Sequence, residues 1–401
     1  MNREEIPNDL ILEILSRLPS KSIGRFRCVS KLWRSMLHKP YFIKLFLTRS
    51  STRPRLLIGV RQRLGCSFFS APQPQNHYGK SSSLVVAADF HMKCSKDVSL
   101  VMCRYASGLL YFPTMPISYM DKDGAGIICN PTTRQFASLP RLRLLPKLDY
   151  GLSGALLGFD PIGGQFKVLS MNNWVDKKVA RYILTLGSEE EGWRKIECPF
   201  NDVDLNGGVC INGILYYIAY DPEDRLYLIV CFDVRFEKFK FLTLIGGIYE
   251  DVEKQEWLKY AYTLRFDNKV VKDYGNLSVV GVTASGEIVL SKYYAYTPFY
   301  VLYFNPERNS VLSVEIQGVG EYHDWIAPPA VCAFVDHVED LQFNIMKATS
   351  INPTQQKNRA RSTSISSRED HQVRAVTQLG QDRRTFESIN NFDALSLLED
   401  D

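Results

Sequence analysis

Four stretches of this chain share one local design: ICNPTTRQFASLP (128–140), GFDPIGGQFKVLS (158–170), CFDVRFEKFKFLT (231–243) and YFNPERNSVLSVE (303–315). In each, an Asn or Asp (130, 160, 233, 305) closes an apolar run, and an apolar residue follows six positions later (136, 166, 239, 311). An Asx side chain accepts hydrogen bonds from backbone N–H groups just beyond it, and Pro often comes next. Each stretch therefore reads as an antiparallel hairpin whose returning strand brings an apolar side chain back to the buried face. TLGSEEEGWRKIECP (185–199) reads as a fifth, built on Gly and acidic residues. A hairpin repeated this often commits most of the chain to sheet.

Hairpins of a second kind lie between them: SGLLYFPT (107–114), NGGVCINGILYYIAY (206–220) and NLSVVGVTASGEIVLSKYY (276–294), each with a Gly turn ahead of an alternating strand. Alternation of two hairpin kinds at roughly blade length points to a β-propeller. About 295 residues at roughly 45 per blade predict six blades, with five or seven as neighbouring solutions. A pair of β-sandwiches is the main structural alternative. An α/β enzyme is disfavoured, because no long helices alternate with the strands.

The first fifty residues follow a different period. At PND (7–9), Asn8 or Asp9 is placed to cap a helix that Pro7 tolerates at its entry. Leu10, Ile11, Ile14, Leu15 and Leu18 then form one apolar stripe. Pro19 ends that helix, and Ser20 and Ser30 are placed to cap the next two. Ile23, Phe26 and Val29 continue the core, followed by Leu32, Trp33, Met36 and Leu37; Pro40 precedes Tyr41, Phe42, Leu45 and Phe46. About forty residues of short helix cannot bury all these side chains against one another. The surplus faces the rest of the chain or a second protein, and Tyr41, Phe42 and Phe46 are expected to need the body for cover.

The stretch IPNDLILEILSRLPSKSIGRFRCVSKLWRSML (6–37) closely resembles the F-box, whose pattern is L/I-P-x-D/E-L, I-L-x-R-L-P, S-x-x-R-x-x-x-V and K-x-W-R. The resemblance implies that this module packs onto a Skp-type adaptor and, through it, joins a cullin-based ubiquitin ligase. Pro7, Leu10, Ile14, Leu15, Leu18, Pro19, Val29 and Trp33 are the adaptor-binding candidates, while Trp33 and Phe26 are equally placed to be internal core. NPTTRQFASLP, LLGFDPIGGQFKVL and Trp193-x-x-Ile196 resemble a second family, the plant F-box proteins with an associated interaction domain, type 3 and kelch-like. That likeness covers roughly 85–345 and implies a domain that holds a protein destined for ubiquitination. Asn130, Asp160, Asp233 and Asn305 are then scaffold, and the target is left to loops such as 111–124, 219–227 and 248–262.

The chain thus divides into a helical domain (1–50), a β-propeller-like domain (51–348) and a polar, Ser- and Arg-rich tail (349–401) expected to be disordered: an α+β multidomain protein. Net charge is +6 in the first part and −1 in each of the others. The basic head suits a solvated helical surface or an acidic partner better than nucleic acid, since it has no aromatic stacking platform. Hydrophobic residues make up 45% and mean hydropathy is −0.15, with no apolar run long enough for a membrane span. Nine scattered cysteines without a CxxC favour reduced thiols in the cytoplasm or nucleus.

Catalytic signatures fail on inspection. YGKS (78–81) lacks the first Gly of a phosphate loop, and GLSGA (151–155) lacks the last Gly of a nucleophile elbow. The six His show no metal-ligand spacing, and Glu189–Glu191 falls in an acidic turn. No cofactor, metal or catalytic residue is expected. The leading function is a non-catalytic substrate receptor; an adaptor-bound scaffold and a propeller enzyme are the alternatives.

Overall fold

A computed structural model describes residues 6–62, 65–74, 83–94, 100, 102–115, 125–142, 155–175, 178–188, 192–198, 203–221, 226–245, 248–250, 277–294, 298–319 and 329–343. The tail expected over 349–401 lies outside them. Four helices come first: α1 (Asn8–Leu15), α2 (Ser20–Val29), α3 (Lys31–Leu37) and α4 (Pro40–Ser51). Strands follow in the order β1 (Arg55–Gln62), β2 (Gly65–Pro72), β3 (Ser83–Ala87), β4 (Asp89–Cys94), β5 (Arg104–Ala106), β6 (Leu109–Met115), β7 (Ala125–Asn130) and β8 (Gln135–Ser138). Next are β9 (Ala155–Asp160), β10 (Gln165–Val175), β11 (Lys178–Thr185), β12 (Arg194–Ile196), β13 (Val203–Ile211), β14 (Ile214–Asp221), β15 (Leu226–Asp233), β16 (Lys238–Ile245) and β17 (Ile248–Glu250). The last are β18 (Leu277–Val282), β19 (Ile288–Lys292), β20 (Phe299–Asn305), β21 (Ser310–Gln317) and β22 (Val331–His337).

These strands form five sheets among the described residues, with orders β22-β1-β2-β4, β5-β6-β7-β8, β9-β10-β11-β12, β13-β14-β15-β16-β17 and β18-β19-β20-β21-β3. Strands that follow one another within a sheet pair antiparallel, as in the meander of a propeller blade. Two strands break the chain order. β22 returns to pair antiparallel with β1, closing the ring with the C-terminal part of the body, and β3 leaves the first sheet to pair parallel with β21 on the fifth. The length estimate of six blades therefore differs from the five sheets seen, because the connections between strands consume unequal lengths of chain.

The repeated Asx motif is one turn built four times. Asn130, Asp160, Asp233 and Asn305 accept backbone N–H bonds from Thr132, Ile162, Arg235 and Arg308 at 2.8–3.0 Å. In all four the residue four positions on has a positive φ: Arg134 61°, Gly164 65°, Glu237 57° and Asn309 48°. The next residue pairs back with the Asx residue, and the apolar residue after it pairs with the one before the Asx: Cys129 with Phe136, Phe159 with Phe166, Phe232 with Phe239, Phe304 with Val311. Two of the three Gly hairpins are two-residue turns with both φ values positive, Ser107–Gly108 (41°, 88°) and Asn212–Gly213 (49°, 85°); the third joins Val282 to Ile288 by a longer turn with Gly286 at 86°. The twist of the two-residue turns matches the flanking strands.

Period-two alternation feeds both faces of every sheet. On β1, Leu56, Ile58 and Val60 enter a core shared with Val289, Val301 and Val314 of the fifth sheet, while Leu57 points the other way to Leu110 and Phe112 of the second. On β9, Ala155 and Leu157 join the second sheet and Leu156 joins Leu215 and Phe232 of the fourth. Gly158 lets the third sheet approach the fourth: a Cβ there would stand 2.6 Å from Val234 Cγ2. The cysteines follow the same logic. None of the nine forms a disulfide, and Cys66, Cys94, Cys103 and Cys129 are buried together between the first and second sheets. Burial pushes the Cys94, Cys103 and Cys129 thiols up, with hydrogen bonding from Cys66 the largest cause at Cys94.

Candidate functional site

The helical head has a small closed core of Leu12, Leu15, Ile23, Met36, Leu37, Phe42 and Phe46, with Ile11, Leu18, Phe26 and Trp33 packed against it. Phe42 and Phe46 are thus covered largely by the head itself, whereas Tyr41 stands 65% exposed. The apolar arc of α1 spans about 200° at roughly 100° per residue, twice the width one buried stripe needs. Its two halves part company: Leu12 and Leu15 turn inward, while Leu10 and Ile14 remain 55% and 57% exposed. Of the adaptor-binding candidates, Pro7, Leu10, Ile14, Pro19 and Val29 lie on the surface. Leu15 is buried at 3%, so its role is internal packing. Leu18 and Trp33 are half-buried, and Trp33 stacks on Phe26 with ring centroids 5.3 Å apart. Leu32, 65% exposed on the third helix, joins the outward set, and Val29, which the pattern also places in the core, is 64% exposed.

Caps also differ from expectation. Pro7 and Pro19, not Asn8 or Asp9 and Ser20, occupy the N-cap positions of α1 and α2, and neither offers a side-chain acceptor. Ser30 caps α3 as its sequence suggests, accepting from the Trp33 N–H at 3.2 Å. Glu13 binds Arg17, just past the end of α1, and Arg49 on α4, tying the first helix to the last.

The head is fastened to the body by the segment after β22. Glu339 accepts from the Ser20 N–H (3.3 Å) and Ser20 hydroxyl (2.5 Å), and its own N–H donates to Ser50 Oγ (2.9 Å). Leu341 packs against the head's core. Two residues on, Phe343 enters the core between the second and third sheets. Asn130 Nδ2 donates to the carbonyls of Asp340 (3.0 Å) and Gln342 (2.9 Å), so one of the repeated Asx residues also holds this segment.

Next to it lies a polar cluster that is buried at Ser70, His91 and His337. Arg55 donates to Ser70 Oγ and pairs with Asp89; Ser70 Oγ meets His91 Nε2 at 2.7 Å. His337 sits edge-on to His91 and accepts or donates at Nδ1 with the Tyr105 hydroxyl, 3.1 Å away. Burial drives both imidazoles toward the neutral form, His91 down to about 4 and His337 well below its ordinary value. These groups join β1, β2, β4 and β22 to β5, at the ring closure rather than in a cleft. Among the described residues no cluster of His, Cys, Asp or Glu has the makings of a metal site.

The F-box domain family matches residues 4–45, and the F-box associated beta propeller domain family matches 55–247 and 247–338. The chain belongs to the F-box proteins. Among relatives, F-box protein At1g67130 of Arabidopsis thaliana is 49% identical over 99% of this chain and 95% of its own length. F-box protein At1g31080 of the same plant is 45% identical over 100% of this chain and 99% of its own. F-box only protein 12, also of Arabidopsis thaliana, is 45% identical over 84% and 82%.

In this F-box protein the two ends of the propeller differ. Because each meander alternates direction, all four Asx turns and the Gly turns fall at one end of their sheets, and Arg55 paired with His337 places the F-box at that same end. Contacts between sheets agree: Gly108 lies against Val338, Gly213 against Pro161, and the Ala284 N–H donates to Asp336. Glu237, in one of these turns, takes Lys167 (2.8 Å) and Arg194 (2.7 Å) from the third sheet. The connections β6–β7, β10–β11, β14–β15 and β19–β20 leave from the opposite end. Two of the stretches expected to meet a target, 111–124 and 219–227, belong there, though 116–124, 222–225 and 251–262 lie outside the described residues. At this far end a cavity of about 230 Å³ opens between the first and fifth sheets, lined by Val279, Tyr293, Val331 and Phe334 among others.

Proposed function

We propose that this protein is the substrate-recognition subunit of a Skp–cullin–F-box ubiquitin ligase. Its F-box docks on a Skp-type adaptor and, through it, a cullin; its propeller holds the target protein. The carrying observation is the outward apolar set on a domain whose core is already filled: Leu10, Ile14, Val29 and Leu32 stand 55–65% exposed beside a complete interior. Apolar side chains left out on a small closed domain mark a protein contact. The surplus of basic residues in the head, net +6, favours an acidic adaptor surface.

The target is received on the end of the propeller away from the F-box, where the connections of unequal length emerge. The chain itself performs no chemistry in this reading; it brings a target to a ubiquitin-charged enzyme, in the cytoplasm or nucleus, with neither nucleic acid nor membrane as partner. Co-purification of the full chain with adaptor and cullin tests the first half. Ubiquitination of proteins captured while the proteasome is blocked tests the second. Loss of adaptor binding in the intact, folded chain would sink the whole reading.

A further inference from the structure

The N-terminus of α2 is capped from the far end of the β body, just after β22. Pro19 has no side-chain acceptor, and the residue that supplies one is Glu339, 319 positions away from Ser20. A carboxylate accepting a backbone N–H and a hydroxyl at a helix start satisfies donors that burial would otherwise leave unmet. Glu339 is 7% exposed, so its two bonds are shielded from competing water. The same residue's N–H reaches Ser50 near the end of α4, so one position touches two helices. Leu341 then packs, half-buried, against the head's core, and Phe343 enters the core of two blades. Asn130 holds the carbonyls between them. Six residues, 338–343, are therefore shared between two hydrophobic cores and a polar lock. A second link among the described residues is the short connection from Ser51 to Arg55, where Arg53 donates to the carbonyls of Arg17 and Ser16.

We infer that Glu339 and Leu341 are positioning residues: they lock the F-box to the propeller as one rigid body, so that a bound target is presented at a fixed distance and direction from the adaptor. The last step rests on the proposed receptor function; the lock itself does not. A target's lysines must meet a ubiquitin-charged enzyme held at the far side of the assembly, and a hinge at this junction would spread the encounter over many geometries. A tether made of one strand connection alone would permit that hinge. The segment after β22 removes it.

The test places a donor–acceptor fluorophore pair at the exposed positions Lys31 and Ile162 of the full chain. Wild type should give one narrow distance distribution. Glu339→Ala combined with Leu341→Ala should widen it roughly twofold or more as the head begins to swing, with thermal melting of the propeller still cooperative. Glu339→Gln, which keeps an acceptor, should restore most of the narrow form in an otherwise native chain. A distribution as narrow in the double variant as in wild type would overturn the lock. If the double variant does not fold, Glu339→Ala alone decides the matter, since its carboxylate belongs to neither hydrophobic core. A second arm reconstitutes the chain with adaptor and cullin ligase and maps which of its own propeller lysines acquire ubiquitin. A confined set in wild type that spreads in the variant supports positioning; an unchanged set refutes it. Failure to bind adaptor at all would strike the receptor reading, while the fluorophore distances still decide whether the junction is rigid.

Discussion

Replacing Leu10 and Ile14 together by Ala separates docking from folding. Fully burying a Leu or Ile side chain is worth about 1.5–3 kcal/mol relative to leaving it in water. Leu10 and Ile14 still expose 55% and 57% of their surface, so roughly half of that value per residue is available to a partner and absent from the fold. The pair should therefore contribute about 1.5–3 kcal/mol to adaptor binding, or on the order of 10- to 150-fold in Kd. Both positions lie on α1, where Ala is the best helix former, so the melting of the head should be unchanged or slightly improved. Titration calorimetry of the full chain with a recombinant Skp-type adaptor reads the binding; circular dichroism reads the fold. Leu15→Ala is the contrast. At 3% exposure it should cost about 2–5 kcal/mol of head stability, and weaken binding only through unfolding. If the folded Leu10/Ile14 variant binds adaptor as tightly as wild type, the outward half of α1 is not the docking edge.

Three further outcomes follow from the body. Asn130→Asp turns a donor that serves two carbonyls into a third acceptor facing them, and should cost about 2–4 kcal/mol in urea unfolding; Asp233→Asn, at a turn using only its acceptor oxygen, should cost less than about 1 kcal/mol. Glu237→Ala strands the nearly buried Lys167 ammonium between two blades and should lower stability by about 2–3 kcal/mol, with Glu237→Gln intermediate; burial raises that carboxyl's pKa, yet the bonds from Lys167 and Arg194 more than offset it and leave it below its ordinary value. Stability should also fall on acidification: His91 takes up a proton near pH 6.5 when unfolded but only near about 4 when folded, so the contribution is complete above 6.5 and is lost progressively down to 4. The total approaches about 3 kcal/mol, with His337 acting in the same direction, and urea midpoints at a series of pH values across that window would expose the slope or its absence.

What could be read in advance follows the range of the forces involved. The four Asx hairpins were legible because every determinant lies within seven residues, from the side-chain acceptor to the positive-φ residue and the returning apolar position. The alternation that splits Leu56, Leu57 and Ile58 between two neighbouring cores was legible for the same reason. Blade number was not, since β3 pairs in parallel with β21 across more than two hundred residues, and nothing local in SLVVA announces that partner. On α1, periodicity marks an apolar arc but cannot tell which half its neighbours cover. Leu15 and Ile14 are adjacent in sequence and have opposite fates because the second, third and fourth helices pack on one side only.

Glu339 had a cue that local reading passes over. Ser20 follows a proline, and the position three residues on is Ile23, so α2 lacks the acidic partner with which a helix start commonly completes its own cap. A helix start that is buried without such a partner must find an acceptor elsewhere. Ring closure says where. Once β22 pairs with β1, Arg55 stands opposite His337, and the residues just before 55 become neighbours of those just after 337. The acceptor then has to lie within a few positions of His337, and HVEDLQF holds Glu339 two residues on, with Leu341 and Phe343 spaced to reach the two cores on either side. Closing the propeller with its C-terminal strand thus does more than seal a ring: it delivers the end of the body to the base of the F-box, and the short segment it delivers has the groups to hold that base in place.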